Sequence, residues 1–219
     1  MPLVPEFTLV IGNKNYSSWS LRPWLWMRHI GLEFDEVPVS LYSELMPDQL
    51  RCYFSNTKVP VLLHQDLEVW DSLAILEYLV SLSPEQGLPA DIKARAIARA
   101  LCAEMHSSFP VLRNELPMNC RRQPSPLLLS DACLADIDRI QALWQHARGF
   151  SDGKGHWLFG SFGIVDAMFA PVVIRFDRYC VPLKEGAAAY VERFLQHPAM
   201  IEWIEAGSAE SMIIEQEER

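Results

Sequence analysis

Three serine hydroxyls crowd the start of the Trp-rich segment SSWSLRPWLW, where Ser17, Ser18 and Ser20 stand close together. A serine ahead of a helix often caps it, because its hydroxyl accepts a hydrogen bond from a free backbone N–H. Three hydroxyls exceed what one cap requires. The amino end of a helix also stabilises an anion through its unpaired N–H groups and its dipole. This segment is therefore either a capped helix start or part of an anion site.

A thiolate is one anion that such a site can stabilise. Lowering the pKa of a thiol from about 8.5 to about 6.5 requires roughly 2.7 kcal/mol of preferential stabilisation of the anion. One hydrogen bond to a charged group supplies about 1.5–3 kcal/mol, and a helix end about 0.3–1 kcal/mol. A serine at a helix start is therefore sufficient for thiolate chemistry without a metal ion or a buried base.

A second polar pair, Asp71 and Ser72, lies at a strand-to-helix junction in VWDSLAIL. Either residue can cap the following helix. Ala74 and Ile75, three positions on, cannot complete a capping box, so nothing local explains having both. The alternative function is ligand binding, in which the helix start holds a carboxylate and Asp71 pairs with an ammonium group.

The first 82 residues alternate between short apolar runs and helical patterns, which predicts the order βαβαββα. The predicted strands are 7–12, 34–39, 59–64 and 67–70, and the predicted helices are 20–30, 44–51 and 72–82. Pro38 indicates that the second strand lies at a sheet edge or at its own end. We therefore expect a compact α/β domain over residues 1–82.

Beyond a Pro- and Gly-containing linker at residues 83–91, the strand patterns stop and helical patterns fill residues 92–219. In the long pattern 91–118, His106, Phe109 and Arg113 fall on one helical face, and Pro110 is expected to kink this helix without ending it. His106 is either a hydrogen-bonded structural residue or a ligand-binding one. Residues 215–219 are expected to fray.

Composition excludes several classes of function. The chain has 219 residues, half of them hydrophobic, and a formal charge of -9, which argues against nucleic-acid and anionic-membrane surfaces. No apolar run reaches the roughly 18 residues of a membrane span, and the first residues lack the basic region of a secretory signal. The five cysteines are odd in number and widely spaced, so we expect buried structural thiols, no metal site and a cytoplasmic location.

Three motifs resemble the cytosolic glutathione S-transferases over nearly the whole chain. SSWSLR, with Gly31 nine residues after Arg22, is similar to the S-S-C-S-x-R helix start of the serine-type zeta class, the maleylacetoacetate isomerase branch. KVPVLLHQDLEVWDSLAILEYL is similar to the family's V-P-x-L strand, hairpin and acidic-Ser helix start. FGSFGIVDAMFAPVV is similar to the buried helix of the second domain. The resemblance implies a thioredoxin-like α/β domain followed by an all-α domain.

The resemblance also implies roles for particular residues. Ser17 takes the position of the catalytic serine with Ser18 as its close second, and Ser20 is expected to be the helix cap. A cis Pro60 would expose the backbone of Val59 to the cysteinyl unit of glutathione. The remaining expected glutathione contacts are Trp19, Lys58, Asp71 and Ser72, although an exposed lysine such as Lys58 is often simply solvated. His106 and Arg113 are expected to line the acceptor-substrate pocket, where an arginine suits an anionic substrate.

Two departures from the family pattern bear on function and stability. Trp19 replaces the zeta cysteine, which disfavours cysteine-dependent chemistry and makes the isomerase reaction less secure. Gly163 replaces the Ser or Thr of the capping box with Asp166, so Gly163→Ser is expected to stabilise the protein slightly. Three functions remain open: a homodimeric glutathione transferase acting on a small electrophile, a glutathione-dependent cis-trans isomerase of a maleyl-type diacid, and a non-catalytic binding protein of the same fold.

Overall fold

The structure, a computed structural model, describes residues 6–55, 57–151, 153 and 155–219, so residues 1–5 of the predicted first domain lie outside the described part. The first part of the chain has the predicted order of strands and helices. The elements are β1 (Phe7–Gly12), α1 (Ser18–His29), β2 (Phe34–Val39), α2 (Met46–Leu50), β3 (Val61–His64), β4 (Leu67–Trp70) and α3 (Ser72–Leu82).

The four strands form one sheet in the order β2-β1-β3-β4. β1 pairs in parallel with β2 and antiparallel with β3, and β4 pairs antiparallel with β3. Alternate residues of β1 face opposite sides: Leu9 and Ile11 join the main core, whereas Val10 joins a smaller cluster with Val61. Pro38 lies in the edge strand β2, where its missing N–H costs no ladder bond.

The second part is helical, and the predicted thioredoxin-like α/β domain followed by an all-α domain is confirmed. Its helices are α4 (Ile92–Ser107), α5 (Pro110–Glu115), α6 (Asp131–Arg148), α7 (Ile164–Arg178), α8 (Glu185–Leu195) and α9 (Pro198–Ala209), followed by a 3-10 turn at Glu215–Glu217. Residues 164–176 of α7 are all buried, as expected of a helix that is apolar around most of its circumference. The domain boundaries at 82 and 92 remain predictions.

The expectation of one kinked helix through Pro110 is wrong. α4 ends at Ser107, Phe109 has the left-handed backbone angle φ 66°, and α5 begins at Pro110. Proline disfavours the helical conformation of the residue before it, and here that residue leaves the helix altogether. His106 and Arg113 therefore belong to two separate helices.

Two further expectations fail. The segment 215–219 is not simply frayed, because the Glu218 carboxylate accepts hydrogen bonds from Tyr16 and Asn119.

The cysteines are all free thiols, but only three of them are buried; Cys52 and Cys180 are exposed.

The start of α7 keeps half of the predicted capping box, since the backbone N–H of Gly163 donates to the Asp166 carboxylate at 2.9 Å. A Cβ at Gly163, however, would lie 2.6 Å from the carbonyl oxygen of Gly87 in the linker. The same carbonyl accepts a hydrogen bond from the N–H of Ile164. The glycine is thus required by a close backbone approach, and the expectation that serine would be stabilising there is contradicted by the structure.

We predict that Gly163→Ser lowers the free energy of unfolding by about 1–3 kcal/mol, the usual effect of overpacking a tight contact. Gly186→Ala is the matched control, because the space around Gly186 is open and alanine favours the helix by about 0.5–1 kcal/mol. Urea denaturation measures both variants. A Gly163→Ser protein as stable as the wild type would show that the Gly87 contact is not restrictive.

Candidate functional site

A cavity of about 930 Å³ is lined by residues of both domains. All ten residues singled out in the sequence contribute to its wall: Ser17, Ser18, Trp19, Lys58, Val59, Pro60, Asp71, Ser72, His106 and Arg113. They come from segments that are far apart in sequence, so their convergence is a property of the fold. Their individual functions remain predictions.

The serine cluster is arranged differently from the expectation. Ser17 occupies the N-cap position of α1, but its side chain makes no capping hydrogen bond; its hydroxyl donates to Ser20 Oγ at 2.7 Å. Ser20 is not the cap, because it lies inside the helix and its Oγ accepts the N–H of Gly12, at the end of β1, at 3.0 Å. Ser20 therefore connects strand, helix and Ser17, and the Ser17 hydroxyl is not committed to the helix end.

Asp71, and not Ser72, caps α3, whereas the role of either residue in ligand binding remains a prediction. Its Oδ1 accepts from the N–H groups of Leu73 and Ala74 at 2.9 and 3.2 Å. Its Oδ2 lies 3.2 Å from Nε2 of His106, which belongs to the second domain. The backbone of Asp71 has a φ of 74°, an uncommon conformation outside glycine and one that is often found at functional sites. One carboxylate thus shapes the helix start and contacts the facing domain.

The hydroxyl of Ser72 accepts a hydrogen bond from Arg22. In the sequence, Arg22 served only to align the SSWSLR motif. Arg22 is fully buried; its Nε donates to the carbonyl of Met168 in α7, and its Nη1 donates to Ser72 Oγ at 3.3 Å. Burial, then the nearby charges of Arg113 and Arg175, lowers the pKa of Arg22 well below its ordinary value. Because Ser72 Oγ accepts from Arg22, its own proton is available to the cavity.

Trp19 sits against two guanidinium groups. The centre of its ring lies 4.3 Å from Cζ of Arg22 and 4.8 Å from Cζ of Arg113, and His106 contacts the ring edge-on at 5.4 Å. Cation–π contacts of this kind hold an aromatic ring firmly when they are shielded from water. Trp19 is therefore a fixed wall of the cavity.

Arg175 is a further cavity residue that the sequence analysis missed. It is the charged residue within the apolar run MFAPVVIRF of α7, and that isolation was the available signal. Burial lowers the pKa of Arg175 and of Arg113 to about 10 in each case, so both stay charged at neutral pH. Within the described residues, no carboxylate lies within 4.0 Å of the guanidinium of Arg22, Arg113 or Arg175. The cavity wall therefore carries two guanidinium groups, those of Arg113 and Arg175, that form no close ion pair among those residues, and the carboxylates of Asp71 and Glu217 line the same cavity.

The segment at the opposite side of the cavity presents backbone groups. The Val59–Pro60 peptide is cis, as the resemblance implies, and β3 begins only at Val61. Val59 thus lies outside the ladder that β3 forms with β4. Lys58 is exposed at the rim.

Across the described ranges, no group of three or more His, Cys, Asp or Glu side chains is arranged to hold a metal ion. Nor does any helix within those ranges combine the length and apolarity needed to cross a membrane.

Comparison with known families covers both parts of the chain. A model of the glutathione S-transferase N-terminal domain matches residues 16–82, and a model of the glutathione S-transferase C-terminal domain matches residues 96–206. The chain belongs to the glutathione S-transferase family. The family assignment from the sequence motifs is thereby confirmed, whereas the serine type and the zeta branch remain predictions.

Individual family members show how far the similarity reaches. Glutathione S-transferase 1 of Dianthus caryophyllus is 31% identical over 103 residues, which span 47% of this chain and about half (46%) of the length of that relative. A glutathione transferase homologue from Burkholderia, solved with bound glutathione, is 24% identical with a TM-score of 0.69, over 92% of this chain and 97% of its own. Rice GST1 in complex with glutathione is 22% identical with a TM-score of 0.64, over 91% and 92%. At these identities the two structures show a shared fold.

Proposed function

We propose that this chain is a glutathione transferase of the serine type, in which Ser17 stabilises the glutathione thiolate for attack on an electrophilic small molecule. The observation that carries the proposal is the position of Ser17. Its hydroxyl lies on the cavity wall at the amino end of α1 and is connected through Ser20 to the Gly12 amide. Family membership and the glutathione bound in both solved relatives support the same co-substrate.

The hydrogen-bond chain provides a route for stabilising negative charge. A hydroxyl both donates and accepts, so the bond between Ser17 and Ser20 can reverse when an anion enters. The Gly12 N–H then donates to Ser20, Ser20 donates to Ser17, and Ser17 donates to the sulfur. Once the thiol proton has passed to solvent, the thiolate forms a C–S bond with the electrophile and the leaving group departs with the bonding electrons. Ser18 is proposed as a second hydroxyl beside the sulfur.

The remaining groups fit a tripeptide with charged ends. Ser72, whose hydroxyl accepts from Arg22, would donate to the γ-glutamyl carboxylate at the start of α3. Asp71 would receive the neighbouring ammonium at the carboxylate that also contacts His106. The backbone of Val59, which lies outside the β3–β4 ladder, suits the cysteinyl unit, in the manner of an added strand. Lys58 is placed to meet the glycine carboxylate, and Trp19 contacts glutathione while walling the acceptor pocket.

We predict that Ser17→Ala raises the pKa of bound glutathione from about 6.5 towards the free value of about 8.5. A lowered thiol pKa makes thiolate available above about 6.5, so turnover should rise through that pH in the wild type and only at higher pH in the variant. Ultraviolet absorbance of the thiolate and the pH profile of kcat/KM measure this. Ser81→Ala, which removes an exposed hydroxyl that donates to a helix carbonyl, is the control. Identical thiolate titrations in Ser17→Ala and wild type would exclude the proposed role.

A second candidate is glutathione-dependent cis-trans isomerisation of a maleyl-type diacid, in which the thiolate adds to the double bond and then leaves. The specific observation in its favour is the pair Arg113 and Arg175 on the cavity wall. The side chain of Arg175 is buried and that of Arg113 is half-buried, and among the described residues neither guanidinium has a carboxylate within 4.0 Å. Buried charge is costly unless it is paired, which favours an anionic acceptor. Trp19, in the place of the zeta cysteine, is the departure that weighs against this candidate.

Under the isomerase hypothesis, Arg175→Met should raise KM for a maleyl acid roughly ten- to hundredfold, since a hydrogen bond to a charged group is lost. KM for a chloronitrobenzene should stay unchanged. Arg175→Lys, which keeps the charge, should recover part of the loss, and Arg193→Met on the exposed face of α8 is the control. A wild type that conjugates the aryl halide and leaves the maleyl acid unchanged would exclude isomerisation and support the transferase.

A non-catalytic binding protein of the same fold is the third possibility, and the intact pairs Ser17–Ser18 and Asp71–Ser72 weigh against it.

We also propose a homodimer in the cytoplasm, on the resemblance and on the exposed aromatic pair Phe54 and Trp70, whose ring centres are 5.1 Å apart. Sedimentation at micromolar concentration should give twice the chain mass. A species of 25 kDa alone would contradict the dimer.

A further inference from the structure

We propose that the segment 207–218, at the end of the helical domain, is a positioning element for Ser17, acting through the loop 13–16 that leads into α1. This inference rests on the proposed function of Ser17. The positioning residues are Tyr16 in the loop and Glu210 and Glu218 in the segment.

The backbone of the loop is held by Glu210. The N–H groups of the consecutive residues Lys14 and Asn15 donate to the two oxygens of this carboxylate, at 2.8 and 3.0 Å. One rigid group that accepts from two successive amides fixes the orientation of both peptide planes. The loop therefore takes its conformation from a residue of the other domain.

Tyr16, the residue directly before Ser17, is the centre of a second set of contacts. Its hydroxyl donates to Glu218 at 2.5 Å and accepts from Arg121 Nη2 at 2.8 Å and from the N–H of Ile214 at 3.3 Å. Burial, followed by the hydrogen bond to Glu218, raises the pKa of Tyr16, which keeps the phenol protonated at neutral pH. Asn119 also donates to Glu218, at 2.9 Å. The phenol is thus fully engaged by groups of the second domain.

The packing leaves the loop little freedom. A Cβ at Gly207 would stand 2.9 Å from the carbonyl carbon of Lys14 and 3.0 Å from the nitrogen of Asn15, so α9 meets the loop backbone directly. Asn15 is completely buried, and its Oδ1 accepts the N–H of Arg121 at 2.8 Å. Displacement of the loop would therefore open a packed contact and break several hydrogen bonds together.

The loop geometry bears directly on the Ser17 hydroxyl. The N–H of Ser17 donates to the carbonyl of Asn13 at 2.8 Å, and the N–H of Ser18 donates to the carbonyl of Tyr16 at 2.9 Å, so a shift of the loop moves Ser17 with it. Ser20, in contrast, is anchored to Gly12 independently of the segment. A shift would lengthen the 2.7 Å bond between the two hydroxyls and turn Ser17 away from the sulfur.

Tyr16→Phe tests the proposal, because it removes the central hydroxyl and keeps the ring. Tyr179→Phe is the matched control: Tyr179 is also buried and donates to the Pro117 carbonyl at 3.0 Å, and within the described residues its hydroxyl forms no hydrogen bond with the loop. Both variants should lose similar thermal stability. Only Tyr16→Phe should raise the thiol pKa of bound glutathione, and we expect it to lower kcat about tenfold or more with a smaller change in KM.

A double-mutant cycle separates positioning from general destabilisation. If Tyr16 acts through Ser17, the effect of Tyr16→Phe on the thiol pKa should disappear in the Ser17→Ala background. Glu218→Gln should give a shift in the same direction as Tyr16→Phe, with Glu218→Asp retaining more of the wild-type value.

The outcomes distinguish this inference from the function on which it rests. A wild type with no thiolate near neutral pH overturns the proposed function and this inference with it. A normal wild-type thiolate whose pKa is unchanged in Tyr16→Phe, or is changed equally in Tyr179→Phe, overturns the inference alone. Additive effects of Tyr16→Phe and Ser17→Ala also overturn it.

Discussion

The burial of Arg22 is the constraint on which the site depends. This side chain leaves α1, reaches a carbonyl of α7 and a hydroxyl of α3, and meets no carboxylate within the described residues. A buried cation is costly when its donors lack partners, and among the described residues Nη2 of Arg22 has none. The two hydrogen bonds that Arg22 does make therefore tie the three helices to their relative positions. The same positions place the start of α1 beside the start of α3, which brings two helix amino ends to one cavity. The convergence of these two helix starts therefore follows from how α1, α3 and α7 pack.

The cavity collects positive charge although the chain as a whole is acidic. With 19 basic and 28 acidic residues, most of the surface repels anions. The guanidinium groups of Arg175, which is buried, and of Arg113, which is half-buried, are screened by salt less than charges on the surface are. An anionic ligand is attracted by these two groups only after it has entered the cavity. Its shape, which governs entry, and its charge would therefore be selected together.

Much of the fold and part of the site could be predicted from local patterns. Alternating and helical periodicities identified the elements, and the SS and DS motifs identified two helix starts that share the cavity. The failures involve contacts between distant parts of the chain. The Gly12 partner of Ser20 depends on how strand and helix are placed, and the hydrogen-bond partners of the Tyr16 hydroxyl lie between 105 and 202 residues on. Pro110 is a local signal for the helix break at Phe109. The apolar spacing that continues beyond Pro110 nevertheless favours a single kinked helix, which is why the break was not predicted.

The contact between Gly87 and the start of α7 changes how the linker is understood. A connecting segment on a surface usually tolerates insertions and lets domains move. Here the linker carbonyl accepts an N–H from the first residue of the most buried helix and leaves no room for a side chain at Gly163. The segment is therefore packed against the core of the second domain, and lengthening it would disturb the start of that helix. An inserted domain or a new pair of termini in this linker would therefore disrupt the contact between Gly87 and the start of α7.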